Sequence, residues 1–170
     1  MKNMSIQLIL LFILLVFLQV WLFDNIHLFG YATPLLYIYF LIKLPISMSR
    51  NVVMLLSALL GFVIDIFGGT LGLSMTVLTI VGFLRYYLLK LFTPRDVSGD
   101  YFPSFSIFGK FLFMRYAGIV TLIHISLLYI IESFSLFNPW LLLLRITGSF
   151  ILTILLIFVF ESINMDVFKK

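Results

Sequence analysis

Four side chains decide what chemistry this sequence could support. Asp65 sits inside the apolar run GFVIDIFGGTLGLSM, Gly61 to Met75, three residues before the pair Gly68-Gly69. His27 and His124 are the two histidines, and Arg145 lies inside the apolar run that begins NPW. A zinc protease needs H-E-x-x-H on one helix face, and neither histidine stands in such a motif. Intramembrane serine hydrolysis needs a serine and a base at similar depth. His124 would be that base, but no G-x-S-x-G or comparable nucleophile turn accompanies it. A neutral histidine hydrogen-bonding a neighbouring helix is the plainer reading. No glycine-rich loop with a lysine is present to cradle phosphates, which excludes that class of nucleotide hydrolase. The absence of cysteine excludes disulfides, thiol nucleophiles and Cys metal sites. The sequence therefore predicts no catalytic centre, cofactor or metal, and the chain is not expected to be an enzyme.

The composition says what solvent these residues meet. Of 170 residues, 63% are hydrophobic and 11% charged, against ~45–50% and ~25% in ordinary globular domains. Mean hydropathy is +1.22. A chain this short cannot cover so much apolar surface with its own core, so the surrounding medium is lipid. No basic surface interleaved with aromatics points to nucleic acid, and none is expected as a partner. The first apolar stretch, Ser5–Phe23, exceeds the ~7–15 residues of a signal-peptide core and leads into LQVWLFDNIH without a small-residue cleavage pattern, so it reads as a retained helix.

Six segments approach the roughly 20 apolar residues that span a bilayer: Ser5–Phe23, Tyr31–Pro45, Asn51–Phe67, Leu71–Phe92, Gly109–Ile131 and Pro139–Phe160. The expected fold is one all-α polytopic domain over residues 1–170. The second segment is the weakest, being short and carrying Lys43, and a five-helix reading omits it. The third and fourth are nearly continuous. At ~1.5 Å per residue a single helix over Val52–Phe92 would be about twice the ~30 Å hydrocarbon thickness. The chain must reverse near its middle, where Gly68 and Gly69 supply positive φ and Thr70 can cap the next helix. Asp65 then lies in the last turn before the reversal, near an interface and within reach of the free amides that open the fourth segment.

With a cytoplasmic N-terminus, Lys2, Lys43, Arg50, Lys90, Arg95, Lys110, Arg115, Lys169 and Lys170 fall on the inner side. Asp24, Asp65 and Glu132 fall on the outer side, with Trp21 and Trp140 at the outer interface. Both termini are then cytoplasmic. The longest connection, Thr93–Phe108, is expected on the inner membrane surface. Arg145 is the charge out of place, about two turns into a helix capped by Asn138 and led by Pro139. It either snorkels past Trp140 or pairs with Asp65, Glu132 or Asp24, and pairing with Asp65 is the favoured expectation. Small and polar residues recur at helical spacing, Ser57, Gly61 and Asp65 on the third segment, Gly72, Thr76, Thr79 and Gly82 on the fourth. They either pack against each other, the plainer reading, or receive a partner's helix. Gln19 reads as a polar helix contact and Pro34 as a kink or helix start.

Several stretches resemble one family. The first helix ends FLQVWLF, a proline-led segment GYATPLLYIYFLI follows, and LLGFVIDIFGGTLGLS is similar to a glycine–x–x–x–aspartate motif followed by glycines at the third-to-fourth turn. These resemble MreD, the rod shape-determining membrane protein of the bacterial cell-wall elongation complex. The resemblance implies a multi-pass scaffold of the cytoplasmic membrane that binds MreC, and reaches MreB, RodA and a class B penicillin-binding transpeptidase directly or through it. It marks Gly61, Asp65, Gly68, Gly69 and Gly72, with Arg145 by the pairing argument, as partner-binding or structural positions. On that reading Asp65→Ala leaves insertion intact and weakens partner binding. The family is similar in fold to substrate-binding subunits of energy-coupling-factor vitamin transporters, which makes such a subunit the alternative. Against it, Ser5–Phe23 contains no Ala or Gly to form the small-residue docking face those subunits share.

Overall fold

The computed structural model describes residues 2–23, 32–70, 72–93, 101–133 and 139–164. All of its regular elements are helical: α1 (Lys2–Leu18), running on through a π-helical turn (Gln19–Phe23), then α2 (Ile38–Lys43), α3 (Arg50–Gly68), α4 (Leu73–Phe92), α5 (Phe105–Phe108), α6 (Lys110–Glu132) and α7 (Pro139–Asn164). Among the described residues four helices, α3, α4, α6 and α7, are long and apolar enough to cross a membrane, and Ser5–Trp21 forms a shorter apolar helix. The protein is a helical membrane protein. Pro139 is the first residue of α7, where its fixed φ suits a helix start and its missing N–H costs no hydrogen bond. Asp24, His27, Arg95, Asn138, Lys169 and Lys170 lie outside the described residues.

The α3–α4 hairpin is the most extensive helix pair, and its turn follows the expected chemistry. Gly69 adopts φ 66° and donates its N–H to the Asp65 carbonyl, closing α3, while Gly72 at φ 81° opens α4. Gly68 is the last residue of α3 and needs no unusual φ. Of the small-residue stripe, Ser57, Gly61, Asp65 and Gly82 are buried between these two helices, whereas Gly72 and Thr76 are exposed. A Cβ on Gly61 would collide with the backbone of Ser74 and Met75, and one on Gly82 would come within 2.7 Å of the Ser57 hydroxyl. Close backbone approach at small residues is how helices gain dispersion contact where lipid removes the hydrophobic drive to associate. The plainer reading describes the buried half of the stripe, at Ser57, Gly61 and Gly82.

The second segment differs from expectation. Tyr31–Pro45 does not form a spanning helix: among the described residues the helix covers only Ile38–Lys43, preceded by an irregular stretch at residues 33–35 and a turn. Every residue from Pro34 to Pro45 is buried. Apolar side chains point all around this short helix because protein, not lipid, surrounds it. Pro34 has no N–H to give a helix and biases Thr33 toward extended geometry. The connection before α6 also departs from a surface position. Pro103, Ser104, Phe105 and Phe108 are buried, with the Phe105 ring edge-on to Phe113 at 5.2 Å. α6 packs between α4 and α7.

The Gly61 contact generates a test. Gly61→Ala forces the backbone of α3 away from the first turn of α4, whereas a Cβ on Gly118 of α6 meets nothing within 4 Å. Overpacking costs ~1–3 kcal/mol, so Gly61→Ala should lower the midpoint of thermal aggregation in detergent while Gly118→Ala leaves it unchanged. Equal midpoints would refute the packing assignment.

Candidate functional site

An irregular segment inside a membrane protein faces a strict requirement. Its backbone N–H and C=O groups have no water, and no helix ladder of their own, so other groups must supply partners. Here the partners are side chains from the end of α1 and from α7. Gln19, buried in the π-helical turn, donates from Nε2 to the Pro34 carbonyl at 3.1 Å and accepts the Leu36 N–H on Oε1 at 2.9 Å. Its amide substitutes for a peptide group. From α7, the Ser149 hydroxyl accepts the Thr33 N–H at 3.1 Å and Thr153 Oγ1 accepts the Leu35 N–H at 3.0 Å. Thr153 in turn donates to the Ser149 carbonyl, and the Tyr129 hydroxyl of α6 meets Ser149 Oγ at 2.8 Å. A π-helical turn at Gln19 is the kind of local irregularity that re-aims one side chain toward such a task.

Further along the same segment, the side chains carry the contacts. His124 Nε2 lies 3.0 Å from the Tyr37 hydroxyl, with the two rings edge-to-face at 5.3 Å. That is the interhelical hydrogen bond expected of a structural histidine, and its partner is a phenol, not a serine. Tyr39 donates to Glu161 Oε2 at 2.6 Å. Lys43 bridges Glu161 through both carboxylate oxygens, at 2.9 and 2.7 Å, and gives its third proton to the Pro103 carbonyl at 3.0 Å. Glu161 Oε1 also accepts the Phe105 N–H at 3.2 Å. Both charged side chains are 2% exposed. The ammonium lies 5.7 and 5.6 Å from the ring centres of Tyr39 and Phe113, whose faces add to its stabilisation. A buried pair persists only when its remaining lone pairs and protons are also satisfied, and these are. The segment ends where the buried Arg85 guanidinium donates from Nη2 to the Leu44 carbonyl.

The motif positions form a separate unit at the opposite end of α3 and α4. Asp65 is 3% exposed. Its Oδ1 accepts the Thr70 hydroxyl and the Ser74 N–H, and its Oδ2 accepts the Met75 N–H, each at 2.9 Å. Asp65, not Thr70, therefore caps α4, and Thr70 is a donor to that cap. Negative charge at a helix N-terminus is favoured by the dipole and by the unpaired amides. Gly61 faces the same turn of α4, so the glycine and the aspartate of the motif act on one place. Arg145 is not part of this unit. It is half-buried on α7 and forms no ion pair with Asp65 or with the exposed Glu132 among the described residues. The expected Arg145–Asp65 meeting is replaced by an aspartate whose oxygens are taken by amides.

Arg85 and Glu161 are the residues that sequence reading missed. Both are charges set inside apolar helical windows, a signal that marks functional or paired groups in membranes. Glu161 has the opposite sign to Lys43 and lies at the same end of the bundle. No family model, no curated protein and no solved structure matches this chain.

The Lys43–Glu161 contact generates a charge cycle. Glu161→Gln keeps the shape and one of the two acceptor oxygens used by Tyr39 and Phe105 but leaves Lys43 buried without a counter-charge, which typically costs ~3–5 kcal/mol. Glu161→Gln and Lys43→Met should each sharply reduce folded protein on size-exclusion chromatography, and the double variant should recover most of it. Additive losses would contradict the pairing.

Proposed function

We propose that this chain is a multi-pass scaffold of the bacterial cytoplasmic membrane, of the MreD kind, with no reaction of its own. On this reading six helical segments have both ends on the cytoplasmic side, with α2 the shortest and wholly interior. The scaffold binds MreC and supports peptidoglycan synthesis and cell shape through MreB, RodA and the class B transpeptidase. The supporting observation is that the stretch carrying the resemblance behaves as one built unit. Gly61 removes the bulk and Asp65 supplies the charge that together fix the first turn of α4 against α3. The result is a rigid hairpin end at which Gly69 and Thr70 are exposed. The transporter-subunit alternative has less support, because Leu35–Leu44 fill the middle of the bundle with the protein's own chain.

Co-purification tests the proposal. After brief crosslinking and mild extraction through a C-terminal tag, the scaffold reading expects MreC and wall-synthesis enzymes. An ATPase pair with a coupling membrane subunit would overturn it in favour of transport. Asp65→Ala refines the result. Hydrogen bonds to a charged group contribute ~1.5–3 kcal/mol each, and the three here hold the hairpin, so folded yield and partner recovery should fall together. Lost recovery at full yield would instead make the carboxylate itself the contact.

A further inference from the structure

A cleft of about 330 Å³ opens where α3 begins and α4 ends, at the end of the bundle opposite the glycine turn. Three cations line it, Arg50, Arg85 and Lys90, with Val53, Gly82 and Leu89 contributing an apolar floor. Its volume falls within the ~300–1,000 Å³ of ligand pockets. Arg50 and Lys90 are exposed at the rim, whereas Arg85 is 1% exposed. Of the Arg85 guanidinium, Nη2 reaches the Leu44 carbonyl, and Nε has no hydrogen-bond partner. The Tyr116 hydroxyl beside it likewise makes no hydrogen bond of acceptable geometry. No carboxylate among the described residues pairs with Arg85. Isolated buried charge is costly, by several kcal/mol per ion even after relaxation. Lys43, the other buried cation, has Glu161, whereas Arg85 has a carbonyl and the cleft but no counter-charge among the described residues.

The chemistry of the lining specifies the occupant. A guanidinium presents a planar fork that matches phosphate oxygens, and flanking cations add charge without demanding one geometry. Arg50 is steadied for this by the Phe83 ring at 4.9 Å and by a long contact to the Tyr87 hydroxyl at 3.5 Å. Tyr86 and Tyr87 are exposed beside the opening, as aromatics are at a membrane interface. Basic pockets between helices at that level suit anionic headgroups. We propose that this cleft binds the phosphate of an anionic phospholipid, with Arg85 gripping it from within and Arg50 and Lys90 neutralising it at the rim.

Native mass spectrometry of the intact protein, released from micelles with equal phosphatidylglycerol and phosphatidylcholine, tests this. Wild type should retain phosphatidylglycerol about tenfold over phosphatidylcholine, equivalent to ~1.4 kcal/mol. Arg85→Gln should abolish the preference. Because that variant also loses the Leu44 contact, Arg50→Gln/Lys90→Gln serves as the second variant; it leaves the interior untouched and should still reduce the preference severalfold. Equal retention of the two lipids by wild type, or a preference unchanged in the double variant, would overturn the proposal. Inorganic phosphate is the third probe. Phosphate binding lost in Arg85→Gln, without any headgroup preference in wild type, would assign the cleft to a soluble anion and overturn the lipid source.

Discussion

The structure depends on one constraint: the backbone of residues 34–37 is buried ahead of α2 without a helical ladder to satisfy it. An unpaired peptide group in such a place costs several kcal/mol. Gln19, Ser149 and Thr153 each remove one or two such costs, and they come from helices at opposite ends of the chain. The segment thereby ties α1 to α7. Continuing through Tyr37, Tyr39, Lys43 and Leu44, it also engages His124, Glu161 and Arg85. Most of the buried polar side chains of the interior are accounted for by this one strip of chain.

That arrangement separates two kinds of charge placement. At the glycine-turn end, Asp65 is neutralised by backbone amides and a hydroxyl, with no cation, which fixes a helix start without demanding a partner of opposite sign. At the basic end, Lys43 is matched by Glu161 inside the protein, while Arg85 lines a cleft in which the other charges among the described residues, Arg50 and Lys90, are also cations.

The legible parts of this fold are those where length or sterics leave one solution. Val52–Phe92 is too long for a single crossing, so the reversal at Gly69 follows, and an aspartate one turn earlier has amides within reach. The second segment was not legible for a physical reason. A short apolar run looks the same whether lipid or protein surrounds it, and periodicity cannot separate the two. Gln19 and Pro34 are the two ends of one hydrogen-bonded unit, yet their sequence separation conceals it. Arg145 stands out because its sign opposes both the inner-side bias of basic residues and the helix dipole, whereas Arg85 and Glu161 lie in the halves of their helices nearest the basic end, where a charge is ordinary. Their burial arises from packing against the interior segment, which the linear pattern does not encode. The burial of residues 103–105 before α6 is hidden for the same reason: Pro103 and Phe105 reach Lys43 and Glu161.

The absence of native cysteines makes the central claim directly measurable. Single cysteines placed along residues 35–44, and at lipid-facing Leu155 of α7, would be probed in membranes with a water-soluble and a lipid-soluble thiol reagent. The account predicts that every position from 35 to 44 resists both reagents, while Leu155→Cys, at a site 56% exposed, reacts with the lipid-soluble one. A labelling pattern along 35–44 that rises and falls with helical period in the lipid-soluble reagent would contradict it, because that is the signature of a helix facing the bilayer.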